Sequence, residues 1–248
     1  MSYPAAFRLL PAAALLFAFF AASPAPAAPP ASLTAAEVVA QMVQRNQARA
    51  SQLTRYSSVR HYHVEYSGFS AHLAASMDVE AGYNASTGKT FRVVSQSGSH
   101  MLCEKVLKRA VDSEREAAGD HAATALTPAN YSFTLAGSET VNGRPAYILA
   151  VEPITQSRFL YRGKVWVDAA DFALVKIEAS PAKNPSFWIS KTFIDQSFVH
   201  AGQFWLPARN RSESHVRVGG AAVFTIDYGD YQFQPAPGAL ASDAAPRY

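Results

Sequence analysis

Hydrophobic positions along the chain change period three times. A compact apolar stretch from Leu9 to Ala22 comes first. Then Val39, Met42, Val43, Ala50 and Leu53 recur at helical spacing, which predicts an amphipathic helix running to about Thr54. Its start is marked by Thr34-Ala35-Ala36-Glu37, a capping box in which threonine and glutamate satisfy each other's backbone N–H. From Tyr56 the period drops to two. Arg60, Tyr62, Val64 and Tyr66 share one strand face, and Val59, His61, His63 and Glu65 share the other. Similar stretches near 70–82 and 89–97, separated by Gly68 and Asn84-Ala85-Ser86-Thr87-Gly88, complete a three-stranded meander. Helical spacing returns from His100 to about Gly119, with Leu102, Cys103, Val106, Leu107, Ala110 and Val111 on its apolar face, and 120–130 reads as a loop.

From Tyr131 onward the chain alternates again, broken at Val141-Asn142-Gly143, Asp168 to Asp171, His200-Ala201-Gly202 and Gly219-Gly220. Each break suits a hairpin connection. Strands are expected near 131–139, 144–152, 159–168, 172–180, 186–199, 203–218 and 221–234. About ten antiparallel strands in one sheet cannot lie flat, because right-handed twist accumulates and curls them. The fold class expected is therefore mainly β with α: a curved antiparallel sheet forming an incomplete barrel, with two amphipathic helices as a lid. Near residue 188 the expected strand is apolar on both faces, Phe187, Ile189 and Phe193 opposing Trp188, Ile194 and Phe198. Two helices on so wide a sheet leave a gap that can receive a guest. The expected cavity lining is Tyr62, Val64, Leu73, Phe91, Val93, Leu102, Val106, Tyr147, Leu149, Trp166, Ile177, Trp188, Phe224 and Ile226.

The N-terminal pattern bears on location. Arg8, the apolar stretch and Ala25-Pro26-Ala27 have the layout of a cleavable secretory signal with its cut after Ala27. The stretch is shorter than the roughly 20 residues a membrane span needs. The expectation is a soluble exported protein with a signal over 1–27, a single domain over 28–234, and a loose Pro/Ala/Gly/Ser tail over 235–248. Cys103, the lone cysteine, offers no internal disulfide, so the core must hold the fold. A formal charge of +3, from 22 basic and 19 acidic residues without a long basic run, gives no case for nucleic acid.

Candidate chemistry is sparse. His61 and His63 share a strand face at a spacing seen in metal sites, yet no third ligand is evident, and half-buried surface histidines are the simpler reading. No nucleophile elbow, zinc-protease helix or phosphate-binding glycine loop occurs. Asp168 with Asp171 and Asp227 with Asp230 lie at strand ends, where turn chemistry explains them. Arg209, Arg211 and Arg217 alternate with Glu213 and His215 as a solvated outer face would. The sequence points to a binding protein rather than an enzyme, with no cofactor and no metal.

Several segments resemble the outer-membrane lipoprotein-sorting family, LolA-like and LolB-like periplasmic carriers and their stress-sensing relatives. They are Thr127-Pro128-Ala129-Asn130-Tyr131-Ser132-Phe133, Gly137 to Tyr147, Tyr161-Arg162-Gly163-Lys164-Val165-Trp166-Val167-Asp168 and Phe204-Trp205-Leu206-Pro207. The resemblance runs from about 127 to 233. It implies a half-barrel closed by helices, periplasmic location, and a monomer that shields acyl chains of lipoproteins or lipids in a hydrophobic cavity. An envelope membrane protein is the partner it suggests. It also implies a sensor or regulatory domain as the alternative role. In the sorting carriers an arginine holds the lid closed; Arg45, Arg49 and Arg55 are the candidates, and no motif selects among them.

Overall fold

A computed structural model describes residues 33–68, 71–184, 186–217 and 219–234. The expected signal and tail lie outside them. Helix α1 (Ala35–Gln52) starts where the capping box placed it: Thr34 Oγ1 accepts from Glu37 N, and the glutamate carboxylate takes the Thr34 N–H at 2.7 Å. Three strands follow, β1 (Arg55–Ser67), β2 (His72–Asn84) and β3 (Gly88–Gly98). A second helical stretch is built from α2 (His100–Leu102), a π-helical turn (Cys103–Leu107) and α3 (Lys108–Gly119). The expected loop after Gly119 contains one further short helix, α4 (His121–Thr124), capped by the Asp120 side chain at Ala123 N.

The remaining strands are β4 (Tyr131–Val141), β5 (Arg144–Pro153), β6 (Tyr161–Asp168), β7 (Leu174–Pro181), β8 (Ile189–Ala201), β9 (Phe204–Val216), β10 (Ala221–Tyr228) and the short β11 (Gln232–Phe233). Asn142 and Gly143 take φ of 51° and 78°, the left-handed pair that a two-residue hairpin needs between β4 and β5. All strands form one antiparallel sheet in the order β3-β2-β1-β10-β9-β8-β7-β6-β5-β4, with β11 also on β1. The order places β3 and β4 at its two ends, so the sheet is not closed. Pairing of β1 with β10 joins the first meander to the end of the second over a long sequence distance.

The helices cover one face in two separate places. Helix α1 packs Val38, Val39 and Met42 over Leu149, Val151, Val165, Val167 and Ile177 of β5 to β7. The α2–α3 stretch packs Leu102, Cys103, Leu107 and Val111 over Tyr62, Val64, Ala75, Met77, Val79 and Ile226 of β1, β2 and β10. Between them the same face is mainly polar, with Ile194 the apolar exception and Phe198 drawn into the α1 field. Register places Gln196 beside Ile177 and Asn210, Ile194 beside Ala179 and Ser212, and Thr192 beside Ser214. Thr192 and Ser214 share a hydrogen bond at 2.9 Å, and Asn210 Nδ2 donates to Gln196 at 3.3 Å. The lid-side face is thus two apolar fields divided by a strip of hydroxyls and amides on β8 and β9.

Candidate functional site

The field beneath the α2–α3 stretch contains most of the residues expected to line a cavity. Tyr62, Val64, Leu73, Phe91, Leu102, Val106, Phe224 and Ile226 meet there, the last two from β10 and Leu102 and Val106 from the helical stretch. Tyr147, Leu149 and Ile177 belong to the α1 field instead. Three expected liners depart from the prediction. Trp166 points to the opposite face, where it packs with Ala146, Val175 and Trp205. Val165 and Val167 belong to the α1 field and Trp166 alternates away between them; all three are buried, so no polar residue in this run marks its outer face. Trp188 is 57 % exposed in the turn before β8, because that strand starts at Ile189 rather than near 186. Phe187 shares that turn, so the two-faced apolar strand expected there is absent. Val93 pairs with Val79 but is 42 % exposed on the edge strand, outside the packed cluster.

At the floor of the α2–α3 field stands Arg60, which the strand alternation placed on this face without a role. Arg60 is 3 % exposed, in alternation with Tyr56, Ser58, Tyr62 and Val64, all buried. Its guanidinium donates to the carboxylate of Glu114 on α3, and Tyr62 donates its hydroxyl to the other oxygen of the same carboxylate. The rings of Tyr228 and Phe91 flank the guanidinium at 4.8 and 5.2 Å. Burial opposes the arginine's charge, but Glu114 and the surrounding tyrosines, Tyr228, Tyr62 and Tyr56, more than offset it and hold the proton more firmly than usual. Burial likewise pushes the Tyr62 and Tyr228 hydroxyls up, so both stay neutral. Arg60 Nε and Ser58 Oγ have no partner among the described residues. The signal for Arg60 was visible: a guanidinium in register with three apolar neighbours on a strand face needs a counter-charge from the covering element.

Of the three candidate lid arginines, two hold α1, one of the two covering helices, and none reaches the α2–α3 stretch. Arg49 donates from α1 to the Asp171 carbonyl at 2.9 Å, and Arg45 lies 5.4 Å from the ring of Phe172, so both tether α1 to the β6–β7 turn. Arg55 donates to Gln234 at 3.3 Å. Phe172 itself is buried at φ 50°, an uncommon left-handed conformation for a bulky residue, and stacks on Tyr147.

Two grooves flank these fields. A groove of about 470 Å³ runs between α1 and the β4 side, its walls formed by Val39, Ala40, Val43, Pro128, Tyr131 and Phe133. A larger one, about 800 Å³, is lined by the alternate positions of β1, Ser57, Val59 and His61, with Glu80, Thr90 and Arg92. Those side chains face away from the lid. In that groove His61 contacts Asp78 at 2.7 Å; His63, on the same face, meets Ser76 at 2.8 Å and Glu65 at 3.1 Å. No cluster of three metal-binding side chains exists among the described residues. Asp168 behaves as a turn residue, its Oδ1 accepting from Ala170 N at 2.9 Å and Asp171 N at 2.7 Å, whereas Asp227 lies within β10 and pairs with Arg209 across the strands at 3.3 Å. No described helix is long and apolar enough to cross a membrane.

No protein-family model matches the chain, nor does any curated protein. Solved structures do. A LolA superfamily protein from Nitrosomonas europaea aligns over 83 % of this chain and 96 % of its own, with 13 % identity and a TM-score of 0.37. A putative outer membrane lipoprotein-sorting protein domain from Vibrio parahaemolyticus aligns over 80 % and 94 %, with 13 % identity and a TM-score of 0.38. The MucA/MucB complex of Pseudomonas aeruginosa aligns over 82 % and 99 %, with 12 % identity and a TM-score of 0.26. TM-scores below 0.5 leave function to be argued from this chain's own residues.

Proposed function

We propose that the protein is an envelope carrier that takes the acyl chain of a lipid or lipoprotein beneath the α2–α3 lid, against Tyr62, Val64, Leu73, Phe91, Phe224 and Ile226. The proposal includes export to the periplasm, from the N-terminal pattern, and neither a catalytic step nor a cofactor. One observation supports it above the others: the lid is fastened to the sheet by a charged pair inside an otherwise apolar interface. Arg60 is buried and Glu114 partly exposed, and such an ion pair is a poor source of stability, because desolvating its charges offsets much of their attraction. Its use is as a catch with two states. When the lid lifts, Arg60 and Glu114 both regain water while the apolar floor seeks another cover, and a hydrocarbon chain supplies one at about 25 cal/mol per Å² buried.

The test is mass spectrometry of protein made in a bacterial envelope, together with exchange of a labelled fatty acid. Bound lipid is expected in the wild type. Joint replacement Arg60→Leu with Glu114→Leu removes the catch, retains stability and slows exchange, since the closed lid no longer has charges to rehydrate. Consistently empty wild-type protein would sink the carrier reading.

The polar strip supports a second reading, a sensor domain. Gln196, Asn210, Ser212 and Ser214 offer hydrogen bonds suited to a peptide rather than to hydrocarbon. Cross-linking in cells separates the two: a carrier traps many lipoproteins, a sensor chiefly one envelope protein.

A further inference from the structure

The turn between β7 and β8 exposes two large aromatic rings. Phe187 is 77 % and Trp188 57 % exposed, and they pack edge to face on one another at 5.5 Å rather than into any apolar cluster. Their presentation is fixed. Trp188 N donates to Ser186 Oγ at 3.3 Å, Arg217 N donates to the Trp188 carbonyl at 2.8 Å, and the Arg217 guanidinium sits 5.5 Å from the Phe187 ring. A bond from Ala182 N to the Leu160 carbonyl, at 2.8 Å, ties this turn to the β5–β6 connection, whose Ile154 is 61 % exposed at the same end of the sheet.

The two stretches that form the tip carry charge of one sign. Between Glu178 and Asp195 the chain carries Lys183 and Lys191 and no acid; between Glu213 and Asp227 it carries Arg217 and no acid. Lys191 and His215 are paired across β8 and β9, which brings the two basic stretches together.

We propose that this tip docks on an anionic bilayer surface, with Phe187 and Trp188 entering at headgroup depth and Lys183, Lys191 and Arg217 lying against lipid phosphates. An indole has an apolar body and one polar N–H, the combination that favours the membrane interface. Basic side chains beside it are drawn to the negative potential of anionic lipids. A protein partner is the poorer match, because two side chains on a turn offer far less than the roughly 800 Å² per partner that a stable interface buries. A bilayer needs no such area. The proposal stands on the tip alone and is independent of what the lid covers.

Vesicle flotation of the full chain tests it, using phosphatidylcholine with and without phosphatidylglycerol. The wild type is expected to float with the anionic vesicles and to shift its tryptophan emission to the blue, since Trp188 is the exposed indole while Trp166 is buried. Phe187→Ser with Trp188→Ser, its fold checked by circular dichroism, is expected to lose about tenfold or more in partitioning. Lys183→Gln with Lys191→Gln is expected to lose the preference for the anionic lipid. Equal flotation of the aromatic variant and the wild type, or no flotation of the wild type, overturns the proposal. So does a wild-type dimer that the aromatic variant converts to monomer without any vesicle binding, which would make the tip a protein interface.

Discussion

Asp168 is 1 % exposed, yet it carries its charge, because Arg144 meets it through Nε at 2.5 Å and through a second nitrogen at 2.9 Å, and two turn amides point at Oδ1. Burial raises its pKa, but these partners outweigh burial and the net shift is downward. A carboxylate with a lowered folded pKa contributes stability that is complete above its unfolded value, about 3.9, and is lost as pH falls through the folded value. Asp168→Asn is therefore expected to destabilise at neutral pH, with the gap to wild type closing below about pH 4 in urea melts. A gap that stays constant with pH would show that the charge is irrelevant. Gly163 presents a second sharp case. Its φ is 151°, and a Cβ would lie 2.3 Å from the Glu178 carbonyl and 2.7 Å from Ala179 Cα on the paired strand. Gly163→Ala must push β6 from β7 and should cost more than about 1 kcal/mol, read from the denaturation midpoint at unchanged slope.

At the scale of elements, α1 depends on its cap. Thr34 and Glu37 satisfy donors that the first turn leaves open, so Thr34→Ala is expected to cost about 1 kcal/mol and to lower the Tm by about 2–4 °C in a chain of this length. An unchanged melting curve would mean that packing alone holds the helix. This cap, both amphipathic helices and the strands were legible in the sequence because period and turn chemistry agree locally. Asn142-Gly143 is one such position, and the Leu102, Leu107 and Val111 stripe is another. Facing was less legible wherever a strand slips. A bulge beside Val79 and Val93 leaves Val94 as an extra residue on an edge strand, and one opposite Trp166 leaves Val175 as an extra residue on β7. A period-two pattern has no means of registering a one-residue insertion, and each insertion exchanges the faces beyond it. Likewise, the π-helical turn at Cys103–Leu107 keeps both residues buried within a pattern that reads as ordinary helix. The Arg60–Glu114 catch spans 54 residues, so only the meeting of β1 with α3 reveals it.

For the whole molecule, the division of the lid-side face matters more than the number of strands. Each helical cover seals its own apolar field, and the strip between, Thr192, Gln196, Asn210, Ser212 and Ser214, gains little from being covered. The backbone ladder runs through β8, β9 and β10, with register shifts after Ile189 and Ser197 on β8, while neither buried cluster extends across β8 and β9. Two halves joined mainly by hydrogen bonds should open separately, since sub-global unfolding follows the distribution of buried apolar contacts. Leu107 and Leu149 are both fully buried, one in each field, so truncating either to alanine should cost about 2–5 kcal/mol. Hydrogen exchange followed by mass spectrometry reads where that loss falls. With Leu107→Ala, protection should drop across α2, α3 and β1 to β3 while β5 to β7 keep theirs; with Leu149→Ala the pattern should reverse. A uniform loss in both variants would show that the polar strip transmits packing as well as an apolar core does. In that case a lid could not lift without loosening the far half, and a carrier working by local opening would be untenable.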